Sequence, residues 1–250
     1  MRYFIELAYD GSAYHGWQRQ PNGVSIQSTL EDALRTLLGH PVVVVGAGRT
    51  DAGVHARQIF AHIDLIEAVE ENFAYRLNQF LPKDIAVRQI HHVNDAAHAR
   101  FDAVSRSYEY HLTTTKNPFL VSYAYAFGKN LDMAAMNQAA ALLINHTDFK
   151  CFSKSKTDVK TYDCDITHAE WTCMGSDWVF SISANRFLRN MVRAIVGTLI
   201  EVGLGKMSLE NFQTVLRSRS RSEAGFSVPA HGLYLTHVVY PNTIFVDHAT

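Results

Sequence analysis

Residues 46–56 read GAGRTDAGVHA and directly follow the apolar run Val42–Val45. Four consecutive β-branched residues predict a buried strand, and the glycines predict that the chain leaves this strand in a turn. The turn carries Arg49, Thr50 and Asp51, which packing alone does not require. A carboxylate placed on a glycine-rich turn between an arginine and a histidine is a candidate catalytic group.

Two phosphate-binding patterns fail on this stretch. In the dinucleotide pattern G-x-G-x-x-G, Asp51 stands where the third glycine is needed, and its carboxylate would repel a pyrophosphate. In the pattern G-x-x-x-x-G-K-[ST], Val54 and His55 occupy the lysine and hydroxyl positions. Two interpretations remain: Asp51 caps a turn beside a solvated Arg49, or Asp51 is a nucleophile that an arginine keeps ionised.

Apolar periodicity outward from the turn predicts strands and helices in both halves of the chain. The predicted strands cover 3–9, 42–45, 59–65, 85–93, 106–114, 166–174, 178–184 and 232–240. The predicted helices cover 25–38, 72–81, 133–144, about 187–202 and a stretch from 208, with a polar loop at 150–163. We therefore expect an α+β fold of two lobes, 1–104 and 105–250, with mixed or antiparallel sheets flanked by helices.

Local signals refine these elements. Ser28 and Glu31 predict a capping box in the first helix, and Gly39 predicts its end. Asp132 is a candidate N-cap for the helix that follows it. Gly175–Asp177 predict a hairpin turn.

The composition is that of an ordinary soluble globular protein, with 250 residues, 47% hydrophobic and 19% charged. A formal net charge of −1 means that a nucleic-acid partner would need a local basic patch. The three cysteines form no CxxC pair and the histidines no HExxH spacing, so we predict no metal. With no long apolar run, we expect a cytoplasmic chain without a membrane anchor.

The stretch GAGRTDAGVHA resembles the signature of the TruA family of tRNA pseudouridine synthases. Further resemblances follow in the family's order along nearly the whole chain. They are YDGSAYHGWQRQ (9–20), LPKDIAV (81–87), HARFDA (98–103), RSYEY (106–110), NRFLRNMVRAIVGTLIEVG (185–203) and GLYL (232–235). The resemblance implies the pseudouridine synthase fold, with a central cleft that holds the active site.

The resemblance also implies an activity and its residues. Uridine at positions 38, 39 and 40 in the anticodon stem-loop of tRNA would be flipped out and isomerised to pseudouridine, without a cofactor. Asp51 would be the nucleophile, Tyr108 would stack on the flipped base, and Arg193 would pair with Asp51. Family members resemble one another in being homodimers that bind the anticodon arm, which we expect here too. Attack on the base, attack on the sugar carbon and elimination at the sugar all stay open.

Basic residues suggest where RNA binds. At 100° per residue, Arg186, Arg189, Asn190, Arg193 and Gly197 fall in one polar stripe of the predicted 187–202 helix or just before it.

We expect five arginines to contact RNA phosphates, namely Arg19, Arg49, Arg57, Arg186 and Arg189. The run Arg217, Arg219, Arg221 is either a further contact or simply solvated. We also expect the glycines around Asp51 to let an RNA strand approach.

The chain departs from the family pattern at Arg57, at Ser107 and Glu109 beside Tyr108, and at Asn190, and none of these is the proposed nucleophile, stacking tyrosine or pairing arginine. Two other functions remain alternatives. One is a non-catalytic RNA-binding protein of the same fold. The other is a carboxylate glycosidase, which would need a second carboxylate as acid.

Overall fold

A computed structural model describes residues 1–154 and 159–246, which form nine strands and five α-helices. The strands are β1 Arg2–Tyr9, β2 Val45–Gly46, β3 His55–Asp64, β4 Ile85–Val93, β5 Ser105–Thr113, β6 Tyr125–Ala126, β7 Ile166–Met174, β8 Asp177–Ala184 and β9 Leu233–Val239. The helices are α1 Ile26–Leu38, α2 Phe73–Asn78, α3 Met133–Ile144, α4 Met191–Gly203 and α5 Leu209–Ser218. In the predicted polar loop, 150–152 form a 3₁₀ helix, and 155–158 lie outside the described residues.

Internal contacts group the chain into two compact units, Met1–Val104 together with the chain from Leu235 onward, and Ser105–Tyr234. The predicted lobes placed the C-terminal strand with the second half, whereas most of β9 belongs to the first unit. The division into two domains stays a prediction. In the part of the chain that the structure describes, no helix is long and apolar enough to span a bilayer.

In the first unit the strands follow the order β4-β1-β3-β9, and β1 runs antiparallel to both β3 and β4. The registers pair Leu7 with Ile59 and Ile5 with Ala61. All four of these side chains are fully buried. The core of this unit therefore lies along β1 and β3, and the turn that carries Asp51 leads directly into β3.

Helix α1 begins with a capping box one turn earlier than predicted. The Ser25 hydroxyl accepts the Ser28 N–H at 3.2 Å, and the Ser28 hydroxyl accepts the Ser25 N–H at 3.1 Å. The prediction of a Ser28–Glu31 box was wrong because Ser28 lies at N3 and pairs with Ser25, while the Glu31 carboxylate accepts the distant Val44 N–H at 3.4 Å. The predicted end at Gly39 is confirmed, since Gly39 adopts φ 78° and ends the helix.

The predicted strand over Val42–Val45 is wrong, because only Val45 and Gly46 pair with β3. The Val44 backbone bonds to side chains of α1 instead, with its carbonyl accepting from Gln27 at 2.9 Å and its N–H donating to Glu31 at 3.4 Å. Val43 is 75% exposed while Val44 is buried. The valine run is thus an extended segment along α1 rather than a core strand.

In the second unit β5, β8 and β7 pair antiparallel in that order, and β6 is parallel to β5. The predicted hairpin is confirmed, with Met174 opposite Asp177. The predicted helix at 133–144 is confirmed with its cap, since the Asp132 carboxylate accepts the Ala135 N–H at 2.9 Å. Mixed strand pairing with flanking helices confirms the predicted α+β class.

Helix α4 starts at Met191, four residues later than the predicted helix. Asn190 takes a left-handed conformation, with φ 66°, and its amide donates to the Ser227 hydroxyl at 2.7 Å. A left-handed residue cannot continue a right-handed helix. The predicted stripe is therefore corrected: Arg193 and Gly197 lie on α4, whereas Arg186 and Arg189 precede it.

Stability should fall between pH 6.5 and 4 because of His62 in β3. Burial lowers the pKa of His62 to about 4, and its neutral Nδ1 accepts the Ala99 N–H at 3.1 Å. The unfolded chain binds a proton at His62 near its ordinary pKa, so acid favours unfolding across this window, by about 3 kcal/mol at its lower end. Urea unfolding across the pH range measures this.

An Asn at position 62 offers an acceptor that does not titrate, so His62→Asn should show a clearly smaller drop. The exposed His40 provides the matched control, since His40→Asn should keep the wild-type drop. Equal drops in wild type and His62→Asn would show that His62 does not cause the acid sensitivity.

Candidate active site

The segment Gly48–Val54, called the Asp51 turn here, is held by backbone bonds. The Thr50 carbonyl accepts the Trp17 N–H at 3.3 Å, and the Gly53 N–H donates to the Tyr14 carbonyl at 3.3 Å. Within the turn, the Val54 N–H donates to the Asp51 carbonyl at 3.2 Å. These bonds fix the backbone on both sides of Asp51, whose side chain is half-buried.

Three side-chain contacts anchor the same region. The Tyr9 and Thr50 hydroxyls are hydrogen-bonded at 2.9 Å. The buried His55 Nδ1 accepts the Gly11 N–H at 3.1 Å and lies 3.0 Å from an oxygen of Asp10. Sequence reasoning missed His55 as an anchor, although it is part of the quoted motif.

A further anchor joins the first loop to the start of β4. The Tyr14 hydroxyl donates to the Asp84 carboxylate at 2.7 Å. Burial, together with this hydrogen bond, raises the pKa of Tyr14. Because the Tyr14 carbonyl also binds Gly53, Asp84 supports the Asp51 turn through Tyr14. The backbone that carries Asp51 is therefore held in place before any substrate arrives.

Three glycines near Asp51 are required by the packing and backbone conformation of this unit. A Cβ at Gly46 would overlap the Trp17 ring, and one at Gly16, which has φ 82°, would overlap the Thr50 carbonyl. Gly53 has φ 78°, a conformation that favours glycine. A Cβ at Gly48 would meet nothing within 4 Å. The idea that glycines admit an RNA strand therefore stays a prediction for Gly48, while Gly46 and Gly53 serve the fold.

In the second unit, Tyr108 lies near the start of β5, opposite Ile182 of β8. Its ring is half-buried and packs edge-on against Phe187, with ring centroids 5.1 Å apart and planes at 86°. Edge-to-face packing fixes the ring plane. Tyr108 therefore offers a partly accessible aromatic surface of defined orientation.

Arg193 lies in the first turn of α4 and is half-buried. Its Nε donates to the Val228 carbonyl at 2.7 Å, and the Val228 N–H donates to the Arg193 carbonyl at 3.2 Å. The adjacent Pro229 carbonyl accepts the hydroxyl of Tyr110 from β5 at 3.0 Å. Val228 and Pro229 thus connect the helix that carries Arg193 with the strand that carries Tyr108.

The preceding segment, 221–228, is tied to α4. Arg221 donates to the Gly225 carbonyl at 3.0 Å and to the Ser227 hydroxyl at 2.9 Å. The Gly225 N–H donates to the Thr198 hydroxyl at 2.9 Å. Arg221 therefore supports the surroundings of Arg193, and Arg219 pairs with Asp148 at 2.8 Å. One interpretation of the arginine run was that these side chains are simply solvated. The bonds of Arg221 and the ion pair of Arg219 differ from that interpretation.

The five arginines predicted to contact RNA differ in exposure. Arg49, Arg57 and Arg189 are exposed. Arg19 is exposed and lies 3.3 Å from Glu31, which partly neutralises its charge. Arg186 is half-buried and lowers the pKa of the nearby Cys164 thiol against the larger effect of burial.

The chemistry that these residues offer is that of acid–base and nucleophilic groups. Over residues 1–154 and 159–246, no three His, Cys, Asp or Glu side chains are grouped so as to hold a metal ion. The first unit presents a carboxylate on a rigid turn. The second presents an oriented tyrosine ring and an arginine whose Nε is anchored at the Val228 carbonyl.

Comparison with known proteins identifies the family. The family model described as tRNA pseudouridine synthase matches residues 7–102 and 139–241. The chain is 54% identical to tRNA pseudouridine synthase A of Bacteroides thetaiotaomicron, over 98% of this chain and 93% of the relative. It is 52% identical to that of Parabacteroides distasonis over 98% of both chains, and 40% identical to that of Bacillus subtilis over 97% and 100%. The chain therefore belongs to the tRNA pseudouridine synthase family.

Proposed function

We propose that this chain isomerises uridine to pseudouridine at positions 38, 39 and 40 in the anticodon stem-loop of tRNA. The observation that carries the proposal is similarity over nearly the full length to relatives named tRNA pseudouridine synthase A, with the motif GAGRTDAGVHA intact. An isomerase of this kind acts on tRNA without adding or removing atoms overall, so the reaction requires no cofactor.

The reaction breaks the bond between the sugar C1′ and N1 of the base and forms a bond between C1′ and C5. The base must turn while it is held, the C5 proton leaves to solvent, and N1 regains a proton. A stacked base cannot be reached, so the uridine must be flipped out of the anticodon arm, at a cost of a few kcal/mol. Aromatic surface that receives the base offsets part of this cost.

In this proposal Asp51 is the nucleophile, attacking either the base or the sugar carbon. Arg193 pairs with the Asp51 carboxylate and orients it. Tyr108 stacks on the flipped base, and its hydroxyl assists removal of the C5 proton. The fixed backbone of the Asp51 turn and the oriented ring of Tyr108 support these roles, because both groups would need little rearrangement on binding.

Binding of the anticodon arm falls in this proposal to Arg19, Arg49, Arg57, Arg186 and Arg189, through phosphate contacts. The enzyme is a homodimer in the cytoplasm, where its tRNA substrates are. Light scattering that gave the mass of one chain would rule out the dimer, and recovery of the protein outside the cytosolic fraction would rule out the location.

Tritium release from tRNA labelled at C5 of uridine tests the activity directly. Transcripts that keep uridine at only one of positions 38, 39 and 40 should each release about one equivalent, because the C5 proton leaves once per isomerisation. A transcript with cytidine at all three positions should release none. Release from that transcript would contradict the assigned positions, and no release from any transcript would contradict the activity.

The same assay separates the two alternatives. A non-catalytic RNA-binding protein would bind the transcripts and release no tritium. A carboxylate glycosidase would cleave the bond between sugar and base by adding water and release free uracil. The expected product is intact RNA that contains pseudouridine, with no free uracil.

A further inference from the structure

A pocket of about 240 Å³ lies in the first unit beside the Asp51 turn. Its apolar wall is made by the buried Trp17 ring and the valines of 43–45, and its polar edge includes the Gln18 side chain. Arg49 of the turn and the exposed Arg100 also line it. None of its described lining residues is acidic. The pocket thus combines an apolar surface, the amides of Gln18 and Gln27, and two guanidinium groups.

The lining of this pocket also includes an exposed aromatic ring. Phe101 is 72% exposed, although burial of a ring this large normally contributes to stability. The Arg100 guanidinium lies 5.6 Å from the centre of the Phe101 ring, and the His98 ring centroid lies 4.3 Å from it. We call His98, Arg100 and Phe101 the 98–101 platform.

Hydrogen bonds between side chains and the backbone groups of residues 98–101 hold the platform. His98 Nδ1 accepts the N–H groups of Arg100 and Phe101 at 3.1 and 3.4 Å, and Asp102 accepts the His98 N–H at 2.7 Å. Burial lowers the pKa of His98, which keeps Nδ1 an acceptor. The Ala99 carbonyl accepts the Tyr240 hydroxyl at 2.6 Å. An exposed phenylalanine is therefore presented in a fixed position at the pocket edge.

We propose that this pocket and the 98–101 platform bind one unstacked nucleotide of the tRNA substrate, other than the uridine that reacts. The base stacks on Phe101 and the Trp17 side of the pocket receives its edge, while Arg100 and Arg49 contact the phosphates on either side. This inference rests on the proposed function for the identity of the RNA.

The chemistry of the lining favours a nucleotide over other occupants. Single-stranded RNA is bound where aromatic rings and arginines alternate, because every base has a face to stack and a phosphate to neutralise. An apolar peptide would bring no anionic group to this arginine-containing lining, whereas a nucleotide brings its phosphates. Pockets for drug-sized ligands are roughly 300 to 1,000 Å³, so about 240 Å³ suits a smaller group such as one base.

A double-mutant cycle between protein and RNA tests the proposal. The probe is an anticodon-arm RNA that already carries pseudouridine at its target positions, so that no turnover occurs while the dissociation constant is measured by fluorescence anisotropy. Phe101→Ala should weaken binding about 5- to 100-fold. Abasic replacement of one particular nucleotide should weaken wild-type binding similarly and have almost no further effect in Phe101→Ala.

Arg100→Ala should weaken binding and reduce the slope of log affinity against log salt by about one. Phe119→Ala, which removes a ring that is 85% exposed in the second unit, and Arg35→Ala on α1 are the matched controls and should change neither quantity. Additive effects of Phe101→Ala and abasic replacement at every nucleotide would overturn the proposal. Coupling at a target position would also overturn it, since the pocket would then hold the reacting base.

The binding experiment and the test of the proposed function can fail independently of each other. The cycle measures binding alone, whereas tritium release by the wild type measures catalysis. Coupling at one non-target nucleotide without tritium release would support the pocket and contradict the activity. Tritium release without coupling would support the activity and contradict the pocket.

Discussion

Asp51→Asn should reduce tritium release from C5-labelled tRNA by at least about 1,000-fold, since an amide cannot replace the attacking carboxylate. The substitution changes one oxygen to a nitrogen on a half-buried side chain, and the turn is held by backbone bonds of Thr50, Gly53 and Val54 that it leaves in place. The urea midpoint should therefore stay close to that of the wild type. Single-turnover measurements with enzyme in excess give the rate.

Asp32→Asn is the matched control for this prediction, because Asp32 is an exposed carboxylate on α1 that pairs with Arg35 at 3.0 Å. It should retain wild-type tritium release. If Asp51→Asn kept more than about a tenth of the wild-type rate, the role of Asp51 as nucleophile would be wrong. A loss accompanied by a large fall in the urea midpoint would point instead to a structural role.

Gly197→Ala should destabilise the second unit by about 2 to 3 kcal/mol and lower activity as well. An added Cβ would overlap the Phe226 carbonyl oxygen and lie 2.9 Å from its carbon. These are backbone atoms, so segment 221–228 must move away from α4. That movement would stretch the bond from Arg193 to the Val228 carbonyl, now 2.7 Å, and disturb the guanidinium.

The urea midpoint and the rate of tritium release measure the two effects of Gly197→Ala. Gly128→Ala in the same unit is the control, because its Cβ would meet only the Thr114 carbonyl oxygen, at 3.9 Å. That variant should stay within about 0.5 kcal/mol of the wild type. A wild-type midpoint in Gly197→Ala would mean that segment 221–228 does not depend on its contact with α4.

Local signals predicted the elements that depend on local physics. Asp132 caps the helix at 133–144 as expected, and Gly39 ends α1. Both motifs act within a few residues, where a side chain or a left-handed glycine satisfies the backbone groups at a helix end. The alternating run at 85–93 likewise forms β4 at the predicted bounds.

The predictions that were wrong depended on residues far apart in the chain. The valine run reads as a strand, but Gln27 and Glu31 bind the backbone of Val44. The long apolar helix reads as continuous from 187, but Asn190 turns left-handed where its amide meets Ser227. Periodicity describes which face is apolar and contains no information about partners many residues away.

Some residues of the candidate site were identified from sequence motifs, and others emerged only from the structure. The motifs alone identified Asp51, Tyr108 and Arg193, since their chemistry and order resemble those of one family, and the family is confirmed by comparison. Their roles stay predictions. The anchors His55 and Tyr14, the bond from Arg193 to Val228 and the pocket beside Phe101 emerged only from the structure.

The sequence by itself thus determined the α+β class, the helix ends that short-range capping controls, and the motifs that place the chain in its family. Only the tertiary structure decided why Gly46 and Gly197 must be glycine, since the Trp17 ring and the Phe226 carbonyl occupy the space of a side chain. The physical reason is the distance along the chain over which each kind of interaction acts. Backbone preference and capping act over a few residues, whereas steric exclusion and burial depend on neighbours that folding brings together.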